Sequence, residues 1–336
     1  MLEKRRLKKR KAQAQISLAY SDVTELHVME TGISTIDLSG YPTLERLCVN
    51  YNQLTELDLS HTPNLRVLRC FNNRLTELDL THTPNLEIIN VDCNNLTELD
   101  LSLVPNLIEL SCGQNHLTKV NFSLMPNLIK MSCCDNQLTA LDLSQVPNLK
   151  DLSCGGNKLT SLDLSAVPRL KQLDWSKTGL TSLDLSYTPD IKFMMCSNNM
   201  LSSLNLQPLK DLLTLTCCNN ELPQLDLSHT PNLAFLKCDK NQLTDLDLSQ
   251  ISKLRYLFCH DNNLSSLNLS YVQDLKLIRC DRSNLSLSDI NALNKRPHDE
   301  SGASHLYQID DLQSEFWEWK EKGMSFGDDD IFMDEL

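Results

Sequence analysis

LRVLRCFNNRLTELDLTHTPN, residues Leu65 to Asn85, is the stretch on which the reading of the whole chain turns. From Leu65 an apolar residue returns every 21 positions in both directions, at Val23, Leu44, Leu86, Leu107, Leu128, Leu149, Leu170, Ile191, Leu212, Leu233, Leu254 and Leu275. No insertion or deletion breaks the series. A fixed period of about 20–30 residues with Leu-x-x-Leu-x-(Leu/Cys)-x-x-Asn-x-Leu inside it marks a chain built of stacked units, each burying its leucines only against its neighbours.

The positions of the unit separate by role. In Leu68-Arg69-Cys70 the two apolar side chains alternate with a polar one, which predicts a short strand with Leu68 and Cys70 inward and Arg69 outward. Stacked in parallel about 4.8 Å apart, such strands form one long sheet. Asn73 opens a recurring column with Asn52, Asn94, Asn115, Asn136, Asn157, Asn199, Asn220, Asn241 and Asn262. An Asn at a buried turn satisfies backbone groups of its own and the adjacent unit, so the column is structural. Thr178 and Ser283 stand in that slot elsewhere and predict local weakening. The second half, LTELDLT, alternates again with Leu78 and Leu80 inward, and the proline two residues before the next unit, as in Pro63, Pro84, Pro105 and Pro126, turns the chain where no ladder bond is needed.

These motifs, LxxLxCxxNxL followed by TxLDLSxTPN, resemble the 21-residue class of bacterial leucine-rich repeats, sometimes called IRREKO, and are more distantly similar to bacterial effector and internalin-type repeats. The resemblance spans Val23 to Leu285. It implies a leucine-rich-repeat solenoid with a parallel β-sheet on the concave face, short extended segments on the convex face and a helical C-terminal cap. It also implies a bacterial source and a role in recognition, effector-like or as an intracellular scaffold. The expected organisation is a basic N-terminal arm or cap at 1–22, an array of about 13 units of 21 residues at 23–285, and a C-terminal cap at 286–336. Within that cap Ile309, Leu312, Phe316 and Trp319 recur at helical spacing, so Asp310 to Lys322 reads as an amphipathic helix over the open end of the core, followed by the acidic GDDDIFMDEL.

Charge is unevenly distributed. Of the 336 residues, with formal net charge −13, the first eleven carry seven basic side chains against Glu3, a balance of +6, so the remainder stands at −19. An acidic array disfavours nucleic acid as a partner of the repeats. The arm from Lys4 to Lys11 reads as a solvated tail or polar cap, with targeting or secretion, or contact with an anion, nucleic acid or anionic membrane, as the alternatives. No apolar h-region follows it, which argues against a Sec signal peptide, and no stretch reaches the roughly 18 apolar residues of a membrane span.

Thirteen cysteines invite a disulfide framework, but Cys70, Cys112, Cys133, Cys154, Cys196, Cys217, Cys238, Cys259 and Cys280 share one repeat position with Val28, Val49, Val91 and Trp175. They read as small buried hydrophobes. Stacked free thiols imply a reducing compartment, the bacterial or a host cytosol. The vicinal pairs Cys133-Cys134 and Cys217-Cys218 lack C-x-x-C spacing, so no metal or cofactor is expected; a metal- or redox-responsive cysteine column is the alternative reading. No catalytic constellation is found: His61, His82 and His229 occupy one variable turn position, and the last 50 residues, with no cysteine, hold no thiol ligase domain.

Function is sought instead at outward strand positions, which the core does not need. In the middle units these are small or polar: Asn90, Ser111, Ser132 and Ser153. Further along they become Phe193, Met195, Phe235, Lys237, Tyr256, Phe258, His260, Leu277 and Arg279, beside Asp239, Asp261 and Asp281. An aromatic and basic patch with a charged rim suits the centre of a protein interface, and these nine residues are the candidate partner-binding site. On the other side Glu56/Asp58, Glu77/Asp79 and Glu98/Asp100 stack like charges. Asp-to-Ser/Thr turn bonds, a divalent cation or the basic arm could each offset them.

Overall fold

The computed structural model describes residues 22–122 and 125–281. These form two compact units divided after Arg169. The first carries β1 (Glu25–His27), β2 (Arg46–Cys48), β3 (Val67–Arg69), β4 (Ile88–Asn90), β5 (Leu99–Asp100), β6 (Glu109–Ser111), β7 (Val120–Asn121), β8 (Lys130–Ser132) and β9 (Asp151–Ser153). The second carries β10 (Gln172–Asp174), β11 (Phe193–Met195), β12 (Thr214–Thr216), β13 (Phe235–Lys237), β14 (Tyr256–Phe258) and β15 (Leu277–Arg279).

In each unit the strands pair in parallel with the equivalent strand of the next rung, β4 with β6 and β6 with β8 included, every residue facing the one 21 positions on: Leu47 lies beside Leu68, Leu68 beside Ile89, Leu215 beside Leu236. The 21-residue period of the sequence is thus the register of the sheet. Strand centres point into the core, where Leu47, Leu68, Leu152, Leu173, Met194 and Leu215 are fully buried. The second halves run extended but pair as strands in one place among the described residues, Leu99 with Val120 and Asp100 with Asn121.

The Asn column adds side-chain bonds to the backbone ladder that holds one rung to the next. Asn136 Oδ1 accepts the Leu117 N–H of the preceding rung at 2.9 Å, and its Nδ2 donates to the Cys112, Cys133 and Cys134 carbonyls at 3.0–3.1 Å. Each Asn therefore serves polar backbone on two rungs that water does not reach. The weakening expected at Thr178 has a local compensation. Thr178 N–H, Thr178 Oγ1–H and Gly179 N–H all donate to Asn199 Oδ1, while Thr178 Oγ1 lies 2.9 Å from the Trp175 carbonyl. Gly179, at φ 79°, supplies the backbone freedom this arrangement needs. Thr31 and Gly32 repeat it on Asn52. Ser283 lies outside the described residues.

Just before each Asn slot the chain takes one left-handed residue, whatever its type: Tyr51, Asn72, Cys93, Gln114 and Asp135 in the first unit, Lys177, Asn198, Asn219, Lys240 and Asp261 in the second, all with φ of 49–57°. A non-glycine residue there costs on the order of 1 kcal/mol, offset by a ladder bond such as Tyr51 N–H to the Phe71 carbonyl at 3.0 Å.

The C-terminal helical cap, the amphipathic helix and the basic arm lie outside the described residues. No helix occurs among the described residues, and none is long and apolar enough to cross a membrane.

Candidate functional site

The core-facing cysteines behave as packing. No disulfide occurs among the described residues. Cys70, Cys112, Cys133, Cys154, Cys196, Cys217, Cys238 and Cys259 are completely buried. Burial pushes the Cys70 thiol up to about 12 and raises Cys133, Cys196, Cys217 and Cys238 well above the ordinary thiol value. A thiol held protonated is a poor nucleophile and a poor ligand. Among the described residues no three His, Cys, Asp or Glu side chains come together to hold a metal.

The stacked acidic pairs line a groove of about 490 Å³ in the first unit, from Thr35 past Glu56, Asp58, Glu77, Asp79, Glu98 and Asp100 to Lys119. Each aspartate there is engaged two residues on. Asp58 Oδ1 accepts Ser60 N–H, Asp79 Oδ1 accepts Thr81 N–H and Asp100 Oδ1 accepts Ser102 N–H, all at 2.9 Å. The Ser or Thr hydroxyl adds a second bond, and together these bonds hold the carboxyls below the usual aspartate range. Each aspartate of the row is thus held by the Ser or Thr two residues on.

The sheet face turned away from the core differs between the units. In the first it is mainly polar. Glu25 pairs with Arg46 at 3.4 Å and Glu109 with Lys130 at 3.5 Å, both exposed to water, and Ser111, Ser132 and Ser153 are half-buried. One apolar feature escaped the sequence reading: Tyr51 meets Phe71 edge to face with centroids 4.9 Å apart, and Tyr51 and Met29 are about half exposed. Its signal was Tyr51 at the left-handed turn position, where Asn is frequent.

In the second unit the nine candidate residues lie on the outer face of β11, β13, β14 and β15, with His260 just past β14. They do not form one patch. β12 presents Thr214 between Phe193 and Phe235, and Thr216 between Met195 and Lys237. The cluster proper is Phe235, Tyr256, Phe258 and Leu277. Phe235 stands 6.0 Å from Tyr256 and 5.7 Å from Phe258, ring centre to ring centre, tilted by 41° and 37°. Contrary to the expectation of an exposed patch, these side chains are buried: 4% exposed for Phe235 and Phe258, 5% for Tyr256, 9% for Leu277 and 7% for Met195. Phe193, Lys237, His260 and Arg279 are half-buried.

A polar column flanks the cluster: Cys218, Asp239, His260 and Asp281 at the same position of successive rungs. Cys218 Sγ bonds Ser197 Oγ at 3.1 Å. His260 Nε2 lies 3.9 Å from Asp239 Oδ2 and 3.8 Å from Asp261 Oδ2. Burial pushes the Asp239 carboxyl up, opposed by Lys237 and His260. Asp239 Oδ1, His260 Nδ1 and Thr214 Oγ1 are buried and make no hydrogen bond. Such atoms are uncommon in a folded protein and mark places where an incoming donor or acceptor would be well received. Asp239 and His260 were visible in the sequence as charge; that their polar atoms are left unsatisfied was not.

No protein-family model matches the chain, and no curated protein sequence matches it. Solved structures do. The functional domain of InlJ from Listeria monocytogenes, described as including a cysteine ladder, is 33% identical with a TM-score of 0.74, over 82% of this chain and 67% of that one. The leucine-rich-repeat protein LIC12759 of Leptospira interrogans is 22% identical with a TM-score of 0.68, over 84% of each chain. The internalin InlF of Listeria monocytogenes is 20% identical with a TM-score of 0.65, over 80% of this chain and 77% of that one. The latter two share the fold. With unbroken 21-residue rungs, a column of buried thiols and the likeness to InlJ, the chain belongs to the bacterial leucine-rich-repeat family of the internalin kind.

Proposed function

We propose that the chain is a non-catalytic protein-recognition module that takes its partner on the outer face of the second unit's sheet, the concave face of a solenoid. The observation that carries this reading is the cluster of Phe235, Tyr256, Phe258 and Leu277, large apolar side chains at positions the leucine core does not use. Aromatic anchors bordered by Lys237, Arg279 and the incompletely bonded Asp239–His260 pair have the make-up of an interface centre. Membership of a repeat family whose units build extended surfaces supports the same reading.

The test is affinity capture from cells of the producing bacterium, or from host cells, with the intact chain and with Phe235→Ala/Tyr256→Ala. Loss of a specific partner with far-ultraviolet circular dichroism unchanged is the expected result; undiminished capture refutes the reading. The column of buried thiols at the inward strand position supports a cytosolic setting, bacterial or host. Cell fractionation checks it, and recovery at the cell surface would contradict it.

A further inference from the structure

The residue just before each strand forms a column along the entry edge of the outer face, and its charges differ between the units. In the first unit the column carries both signs: Arg66 N–H donates to the Glu45 carbonyl and Glu87 N–H to the Arg66 carbonyl, and the Arg66 side chain bonds the Glu87 carboxylate at 2.6 Å. In the second unit it runs Lys171, Lys192, Leu213, Ala234, Arg255 and Lys276, with no acid. Lys192 N–H donates to the Lys171 carbonyl at 2.8 Å and Lys276 N–H to the Arg255 carbonyl at 2.7 Å, so each cation has another beside it on the next rung. Lys171, Arg255 and Lys276 are exposed and Lys192 is half-buried. Lys171, Lys192 and Arg255 form no ion pair among the described residues. Like charges side by side on adjacent strands repel. The repeat itself does not impose them, since the first unit neutralises the same column from within.

Between the two cationic pairs lie Leu213 and Ala234, half-buried and apolar, each followed in the chain by an outward residue of the face, Thr214 and Phe235. Lys192 to Arg255 spans three rungs, about 14 Å at about 4.8 Å each. In an extended peptide the side chains i, i+2 and i+4 project to one side, and i to i+4 covers about 13 Å. An acid, an apolar residue and an acid at those positions therefore match a cation, an apolar gap and a cation. A nucleic acid fits this edge less well. Its phosphates recur along the whole strand, whereas the middle of the edge is apolar, and Asp239 and Asp281 stand on the exit side of the same face.

We propose that the entry edge of the second unit binds an extended acidic segment of a protein partner, with Asp or Glu at i and i+4 on the two cationic pairs and an apolar side chain at i+2 over Leu213 and Ala234. This rests on the function proposed above: the aromatic cluster beside the edge supplies the area of the contact, and the two cationic pairs set its register.

Selection of phage-displayed random peptides of about twelve residues on the full chain at low salt is the test. Enriched sequences should carry Asp/Glu-x-apolar-x-Asp/Glu. A labelled peptide of that sequence should bind at least about tenfold more weakly to Lys192→Ser/Arg255→Ser, with circular dichroism unchanged, and should weaken likewise in salt of about 0.5 M, where exposed charges are screened. Lys192→Glu/Arg255→Glu should instead enrich Lys or Arg at i and i+4, which a purely structural role of the two cations would not produce. Enrichment of no sequence overturns the proposal. So does enrichment of peptides without paired acids that are lost in Phe235→Ala/Tyr256→Ala, which leaves the recognition reading standing. Binding of a single-stranded oligothymidylate that Lys192→Ser/Arg255→Ser abolishes also overturns it, because it makes nucleic acid the ligand of the edge.

Discussion

Asn136→Ala removes one complete rung-to-rung fastening from the first unit, and its cost follows from the partners left behind. The Cys112 carbonyl keeps Asn115 Nδ2 at 3.2 Å, the Cys133 carbonyl keeps Asn157 Nδ2 at 2.9 Å, and the Cys134 carbonyl keeps the Gln114 N–H at 2.8 Å. The Leu117 N–H, which bonds to Asn136 Oδ1 and lies in the buried core, has no substitute. One orphaned buried donor costs about 1–3 kcal/mol, and thinning the shared carbonyl bonds about 1 kcal/mol more, for a total of about 2–4 kcal/mol. In an array where each rung leans on its neighbours the damage is local first, so the Leu117 amide should exchange faster before the global urea transition moves. Asn85→Ala is the control: its Nδ2 bond to the Pro63 carbonyl is solvent-exposed and its loss should cost under about 0.5 kcal/mol. Urea unfolding followed by circular dichroism decides. Equal, small costs for Asn136→Ala and Asn85→Ala would refute the claim that the Asn column reinforces the stacking.

Other perturbations probe other parts of the account. Gly156, at φ 64°, would place a Cβ 2.0 Å from Asp135 Oδ1, so Gly156→Ala should destabilise the first unit by about 1–2 kcal/mol in thermal unfolding. Asp58, Asp79, Asp142 and Asp163 have carboxyls lowered by their Ser or Thr bonds, so the stability they contribute is full above the unfolded value of about 3.9 and is lost as pH falls through their lower folded values. The melting midpoint should be level above about pH 5 and fall below about pH 4, less steeply in Asp163→Asn. Asp239 has the opposite sign: its raised carboxyl favours the fold at low pH and loses that advantage as pH rises through the folded value, so Asp239→Asn should raise the midpoint at pH 7 more than at pH 4. In a thiol titration at pH 8, half-buried Cys93 should react in the native state, whereas fully buried Cys70, its thiol held protonated, should react only on unfolding.

Much of the fold was legible because the repeat writes the same physics many times. Leu68, Cys70, Asn73 and Leu80 each fall where the 21-residue series assigns them, and the buried thiols were readable from Val49 and Val91 in the same column. Two features were hidden for a physical reason. Outward direction follows from strand alternation, but accessibility depends on how neighbouring side chains pack, so Phe235, Tyr256 and Phe258, which cluster with one another, were placed on the outward face and expected to be more open than they are. The continuity of the patch also failed, because Thr214 and Thr216 interrupt it and a threonine carries no signal that it divides two clusters. The strength of Thr178 was hidden too, since its compensation comes from Asn199, a full rung away.

Site-specific photo-crosslinking tests the central claim, recognition through the second unit's outer face, most directly. A benzophenone amino acid replaces Lys237 at the rim of the aromatic cluster, or Ser132 in the matching column of the first unit, in cells making the full chain. The account predicts a discrete protein adduct from position 237 that disappears in Phe235→Ala/Tyr256→Ala, and none from position 132. An adduct from position 132 alone, or one from position 237 indifferent to the double substitution, would contradict it.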